Sequence, residues 1–75
     1  MVRIRLHLSF IDRTGSHEFE VPPGVVDTLP EFLDIHGIRS DEIGMAIADG
    51  RWKVPRDIVI DEYSVIEVFP HLEGG

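Results

Sequence analysis

The first ten residues contain the pattern that most constrains the fold of this chain. Apolar and polar side chains alternate from Val2 to Phe10, so a period of two is sustained over nine residues. Because successive side chains of a β-strand point to opposite faces, this period predicts a strand with one face in the core and the other in solvent.

Turn residues after this pattern predict an opening hairpin. Residues 12–15 read Asp-Arg-Thr-Gly, and alternation resumes from residue 16 to Val21. We therefore expect two antiparallel strands joined by a turn. Pro22, Pro23 and Gly24 end the second strand, because proline cannot donate a hydrogen bond to a strand ladder.

Residues 28–37 carry the one helix signal of the sequence. Thr28 and Glu31 have the spacing of a capping box, and Pro30 is tolerated because it lies in the first turn. Four residues share the i, i+3, i+4, i+7 spacing of one helix face: Leu29, Phe32, Leu33 and His36. Gly37 follows where helices commonly stop, which puts His36 at the helix C-terminus with a favourable dipole contact.

The second half of the chain begins with another hairpin. Residues 45–48 read as a strand, and Asp49-Gly50 is a strong two-residue turn signal. Residues 51–54 form the answering strand, which Pro55 closes. Trp52 shares a face with Val54, and we expect core or semi-exposed packing of Trp52 rather than a binding hot spot, since so small a domain needs large side chains to fill it.

Residues 58–60 are a candidate for a short additional edge strand, and residues 65–70 for the last strand. The expected fold class is α+β: a mixed sheet of four to five strands, with one short helix packed on one face. The long apolar runs of the first and last strands favour adjacent central positions. Residues 1–70 are predicted to form the domain, and residues 71–75 a flexible C-terminal tail.

Length and composition limit both stability and chemistry. At 75 residues the chain is a single domain near the lower limit for a self-sufficient core. It has no cysteine, which excludes disulfides, thiolate zinc sites and a cysteine nucleophile. The four histidines lack zinc-ligand spacing, and no serine or threonine lies in a nucleophile motif. We therefore expect no metal site, no catalytic residues and no enzyme activity.

The charge distribution bears on partners. A formal net charge of −7 argues against nucleic-acid binding. No Lys or Arg follows Arg56, whereas acidic residues continue to the end: Asp57, Asp61, Glu62, Glu67 and Glu73. This acidic end favours docking to a basic protein surface, and a merely solvating surface is the alternative that charge leaves open. With no apolar run of transmembrane length and no leader pattern, we expect a cytoplasmic protein without a membrane partner.

The sequence ends in Gly74-Gly75 after the last predicted strand. Composition alone would give such a pair by chance about once in a hundred times. Two glycines leave a main-chain carboxylate with no side chain beside it, on a backbone free enough to enter a narrow active site. An incidental diglycine is the alternative.

Together these motifs resemble the MoaD/ThiS-type sulfur carrier proteins, which have the ubiquitin-like β-grasp fold. The resemblance covers essentially the whole chain, and its specificity lies in the order of the motifs. The motifs are the opening hairpin, Val21-Pro22-Pro23-Gly24 before a short helix ending near Gly37-Ile38, the Asp49-Gly50 turn, Val54-Pro55, and Val65-Ile66-Glu67-Val68-Phe69-Pro70 ahead of Gly74-Gly75.

The resemblance implies a carrier whose Gly75 carboxylate, with Gly74 beside it, is adenylated and converted to a thiocarboxylate. ATP and magnesium would belong to a separate ubiquitin-activating-type enzyme, and this chain would bind no cofactor and be monomeric when free. A sulfur-accepting synthase of molybdopterin or thiamin-like biosynthesis would take the sulfur. The Phe69-Pro70 ending looks more like the molybdopterin carriers and the stretch from Asp49 to Arg56 more like the thiazole carriers, so both pathways stay open.

Two other functions share the same features. A ubiquitin-like modifier would be joined through Gly75 to a lysine of a target protein after the same activation. A β-grasp interaction module would not use the diglycine at all. For any of them, the expected partner-binding residues precede the diglycine: Phe69, Pro70, His71, Leu72 and Glu73. For the Phe69 side chain, two expectations have equal weight: an exposed anchor for a partner, or an ordinary residue at the edge of the core.

Overall fold

In a computed structural model of the protein, which describes residues 1–71, five strands form one mixed sheet. The strands are β1 (Val2–Leu6), β2 (Glu18–Val21), β3 (Ile43–Ala48), β4 (Trp52–Val54) and β5 (Val65–Pro70). The helices are α1 (Ser9–Thr14) and α2 (Leu29–Ile35), and two 3-10 turns span Ser40–Glu42 and Ile60–Glu62. The α+β class is as expected, but two helices are present among the described residues where one was predicted.

The strand order is β2-β1-β5-β3-β4. β1 and β5 pair in parallel, and the other neighbouring strands are antiparallel. The predicted adjacency of the first and last strands is confirmed, and β5 lies in the middle of the sheet. Side chains from both helices join those of the sheet in one core cluster, so the helices cover one face of the sheet.

The connection between β1 and β2 differs from the predicted hairpin turn. The two strands do pair, with Val2 opposite Val21, but β1 ends at Leu6 and α1 follows. The alternation predicted a strand through Phe10, but Phe10 and the adjacent Ile11 both reach the core cluster. Adjacent residues of a strand face opposite ways, whereas adjacent residues of a helix can both lie against a core. Gly15 is the left-handed C-cap of α1, at φ 79°, rather than a hairpin residue.

The main helix, α2, is built as its sequence predicts. Thr28 accepts a hydrogen bond from the Glu31 backbone N–H, and the Glu31 side chain accepts one from the Thr28 backbone N–H, which completes the capping box. Leu29, Phe32 and Leu33 are buried against the sheet. The predicted helix face is thus confirmed, and the helix stops at His36.

The β3–β4 hairpin forms where predicted, but its connection has three residues rather than two, because Ala48 pairs with Trp52 and Arg51 lies in the turn. Asp49 and Gly50 have φ values of 54° and 73°, and a type I′ turn requires positive φ at both central positions. The Asp49 carboxylate accepts hydrogen bonds from the backbone N–H groups of Ser64 and Val65, at 2.9 and 3.0 Å. The turn therefore also fixes the start of β5.

Two predictions at this edge of the fold are wrong. Residues 58–60 form no strand: Val59 makes an isolated bridge to Thr28, and Ile58 and Ile60 are buried beneath it. Trp52 is 60% exposed instead of packed in the core. The edge strand β4 contributes Val54 to the margin of the core cluster, which the central strands and helices already fill.

Candidate functional site

The predicted site is the last stretch of the sequence, and the structure describes its first part. Phe69, Pro70 and His71 are among the described residues, whereas the predictions for residues 72–75 (Leu72, Glu73, Gly74 and Gly75) fall outside them. What the structure defines is therefore the strand end that precedes residues 72–75.

β5 is paired on both sides at residues 66–68, and with β3 alone at Phe69 and Pro70. Val68 lies opposite Leu6 on β1 and opposite Ala46 on β3. The side chains of Ile66 and Val68 have 0% exposure beneath α1 and α2. Two neighbouring strands and a buried face fix β5 as far as Val68, and pairing with β3 alone carries the strand to Pro70.

Phe69 is half-buried, because a histidine covers it. The ring of His7 stacks on the ring of Phe69, with the centroids 4.2 Å apart and the planes 5° from parallel. His7 Nε2 also lies 3.1 Å from Glu67 Oε1. Phe69 therefore packs on His7 and leaves part of its surface free, and its role as a partner anchor stays a prediction.

Sequence reasoning missed His7 as a member of this site. The alternation does place His7 on the wet face of the first strand, as it places Glu67 and Phe69 on one face of the last. Their contact depends on the parallel register in which Leu6 lies opposite Val68. That register is set between segments about sixty residues apart, and no local signal reports it.

The sheet face away from the helices carries an apolar strip beside Phe69. We call it the open face; its apolar members are Met45, Ile47, Val65 and Phe69, all half-buried. Met45 lies opposite Phe69, and Ile47 opposite Glu67. Charged residues flank the strip, including Arg5, which lies opposite Glu67 on β1. An apolar centre with a polar rim is the composition of a protein-binding surface.

The strand end passes closely over β3 at Gly44. A Cβ atom at position 44 would lie 2.5 Å from the Pro70 carbonyl oxygen and 2.8 Å from the His71 Cα. The β3–β5 register shifts between Ile43 and Met45 at this point. Gly44 thus belongs to the site because its missing side chain sets the path of residues 70–71.

His71 is tethered to the 3-10 turn at Ser40–Glu42. Its Nε2 lies 2.9 Å from the Asp41 carbonyl oxygen. A hydrogen bond from Arg39 holds the pKa of the Asp41 carboxyl below its usual value, and one from Arg13 does the same for the pKa of Glu42. The turn beneath His71 is therefore an ionised, arginine-braced structure at neutral pH.

Among residues 1–71, no group of three or more His, Asp or Glu side chains is arranged to hold a metal ion. Neither described helix has the length and apolar character needed to cross a lipid bilayer.

Comparison of this chain with protein-family models, with curated proteins and with solved structures finds no match.

Proposed function

We propose that this chain is a sulfur carrier protein with the ubiquitin-like β-grasp fold, and that Gly75 is its reacting residue. The observation that carries the proposal is the position of β5, the central strand, which leads directly into the residues that precede Gly74 and Gly75. Because β5 is paired with β3 as far as Pro70, the segment after it starts from a defined point.

The sheet supports the β-grasp assignment. An antiparallel β1–β2 pair, then α2, then β3 to β5 with β5 parallel to β1, is the arrangement that the sequence resemblance implies. The helix α1 between β1 and β2 is a departure from that arrangement. It adds Phe10 to the core without changing the pairing of the sheet.

The residue types fit the proposed chemistry. A carboxylate is a poor electrophile because oxide is a poor leaving group. Adenylation by ATP releases pyrophosphate and gives an acyl adenylate, from which a sulfur nucleophile displaces AMP to leave a thiocarboxylate. Gly74 and Gly75 put no Cβ beside the reacting carbonyl, so the attacking atom has an open path. The activating enzyme supplies ATP, magnesium and any base.

The docking surface in this proposal is the open face together with Phe69, Pro70 and His71. Its apolar strip lies next to the strand end, so a partner seated on the strip has residues 72–75 within reach of its active site. Glu73 is the residue that would select among activating enzymes with different surface charge. After sulfur loading, the acceptor is a biosynthetic synthase that removes the sulfur from Gly75.

Intact mass spectrometry tests the proposal. The protein is incubated with an adenylating enzyme of its source organism, magnesium, ATP and a sulfide donor, and we expect a gain of about 16 Da as sulfur replaces oxygen. A variant lacking Gly75 is the matched control. Its Tm should be nearly unchanged, because Gly75 lies beyond the buried residues of β5, while the mass gain should disappear.

The other outcomes identify the competing functions. Adducts with lysine-containing proteins, in place of the mass gain, would assign a ubiquitin-like modifier. Failure to form any adenylate with the adenylating enzymes of the source organism would assign an interaction module. Unfolding of the variant lacking Gly75 would mean that this residue is structural, which the proposal does not allow.

A further inference from the structure

Three cations between residues 51 and 56 have no carboxylate partner among the residues that the structure describes. The other Lys and Arg side chains each form an ion pair: Arg3 with Glu20, Arg5 with Glu18, Arg13 with Glu42, and Arg39 with Asp41. The exceptions are Arg51, Lys53 and Arg56. In a chain with a net charge of −7, this segment is a local patch of uncompensated positive charge.

The patch lies on an edge of the sheet. β4 is the outermost strand and pairs with β3 on one side only; within residues 1–71 no strand covers its other side. The free N–H and C=O groups of a sheet edge can pair with an extended segment of another protein. We call Arg51, Trp52, Lys53 and Arg56 the basic edge.

The two faces of β4 differ in chemistry. Lys53 lies opposite Ile47 on the open face, whereas Trp52 and Val54 lie opposite Ala48 and Ala46 on the core side. Trp52 is 60% exposed, a large apolar surface that the fold does not use. A strand added beside β4 would therefore meet a cation on one face and an indole ring on the other.

The positive surface continues beyond Val54. A shallow groove of about 240 Å³ is lined by Gly44, Lys53, Arg56 and His71, among others. Arg56 donates a hydrogen bond to the Ser40 carbonyl oxygen at 3.2 Å, which leaves the rest of its guanidinium free to bind an anion. Cations thus flank the path of an added strand past the end of β4.

We propose that the basic edge binds an extended segment of another protein in which acidic residues alternate with apolar ones. The apolar side chains lie against Trp52 and Val54, and the acidic ones against Lys53 and, farther along, Arg56. Because β4 is only three residues long, backbone pairing is brief and charge supplies much of the affinity. This inference does not depend on the chemistry proposed for Gly75.

The same charges argue against two other occupants. A second copy of this chain paired edge to edge would bring the Lys53 side chains together, and like charges across a strand pair are destabilising. A nucleic acid would meet the net charge of −7 on the rest of the chain.

Trp52 is the one tryptophan of the sequence, so its fluorescence reports on this edge directly. The probe is a peptide of alternating valine and glutamate, about six residues long, with blocked ends. We expect a saturable blue shift of the Trp52 emission, and weaker binding at high salt because exposed charges are screened.

Lys53→Glu should weaken binding by about tenfold or more. Lys53→Ala, which keeps strand β4 intact, should weaken it less, and Arg3→Glu, with the same charge change on β1, should leave it nearly unchanged.

Two control peptides separate strand addition from charge attraction. A peptide with lysine in place of glutamate should not bind. One with N-methylated backbone amides should bind much more weakly, because it cannot pair with β4. Equal binding of either control would overturn the proposal, as would the absence of any saturable shift. Saturable quenching of Trp52 by single-stranded RNA, with no response to the acidic peptide, would overturn it in favour of nucleic-acid binding.

Discussion

The path of the end of β5 depends on the absence of a side chain at Gly44. The Pro70 carbonyl and the His71 Cα occupy the space in which a side chain would start, and both belong to the backbone. They cannot give way by a rotamer change. Gly44 is thus a residue whose role is to keep β5 close to β3 as the chain leaves the sheet.

Gly44→Ala should therefore lower the free energy of unfolding by about 1–3 kcal/mol, since the new methyl group forces the backbone of residues 70–71 away from β3. Urea denaturation measures the change. Met45→Ala is a useful comparison, because it shortens a side chain on the open face without adding an atom near Pro70. Equal stability of Gly44→Ala and the natural protein would show that the strand end moves aside without cost.

In the proposed docking surface, His7 restricts what a partner can touch at Phe69. One face of the Phe69 ring is covered by the stacked imidazole, so a partner reaches the remaining surface and the imidazole itself. A partner that binds here would therefore contact both His7 and Phe69. A site defined from the residues of β5 alone would omit His7.

At the scale of elements, α1 is linked to the turn that holds His71. Arg13, in the last turn of α1, pairs with Glu42 and donates a hydrogen bond to the Gly37 carbonyl oxygen at 2.6 Å. One arginine thus ties α1 to the end of α2 and to the 3-10 turn. The pKa of Glu42 is lowered chiefly by this hydrogen bond from Arg13.

This link predicts an acid-dependent loss of stability. The pKa of Glu42 is lower folded than unfolded, so its contribution is fully present above the ordinary value near 4.5 and is lost as pH falls through the lowered value. Asp41, whose pKa is lowered by Arg39, acts in the same direction. Urea denaturation from neutral pH to acid should show the decline. Arg13→Leu should flatten the part due to Glu42; an unchanged acid dependence in this variant would mean that the pair is not coupled to folding.

The capping box of α2 gives a second prediction at this scale. Thr28→Ala removes the side chain that accepts from the Glu31 N–H and should cost about 1 kcal/mol of unfolding free energy. Ser40→Ala is the control: Ser40 also lies in a short helical turn, but its hydroxyl makes no hydrogen bond within the described part of the chain. Equal losses from both substitutions in urea denaturation would argue against the cap.

For the molecule as a whole, one core carries the stability. Leu6 is 1% exposed, at the point where β1 meets both β5 and α1. Small domains of this length have little stability in reserve, because they bury a smaller fraction of their surface. The charged groups are at the surface, and no polar or charged residue among those described is buried.

Leu6→Ala should therefore be severe, with a loss of about 2–5 kcal/mol. That is a large share of the roughly 5–15 kcal/mol that stabilises a typical domain. Thermal unfolding followed by circular dichroism measures it. Leu8→Ala is the matched control, since Leu8 is 56% exposed and should cost little. Similar losses at the two positions would contradict the end of β1 at Leu6.

The sequence by itself determined the elements whose signals are local. The bounds of β5, the capping box of α2 and the turn at Asp49-Gly50 were all predicted, because caps, turn dihedrals and strand period depend on neighbouring residues. The sequence also placed Phe69, Pro70 and His71 in the candidate site, and the structure describes these three residues.

Only the tertiary structure decided the rest. The switch from β1 into α1, the exposure of Trp52, the stacking of His7 on Phe69 and the tight passage at Gly44 each depend on which segments lie beside one another. Strand register and the coverage of a face are set by packing between residues far apart in sequence, and a local pattern is compatible with more than one outcome. The alternation at Leu8 and Phe10 is compatible with a strand, but Phe10 lies on helix α1 and packs in the core from there.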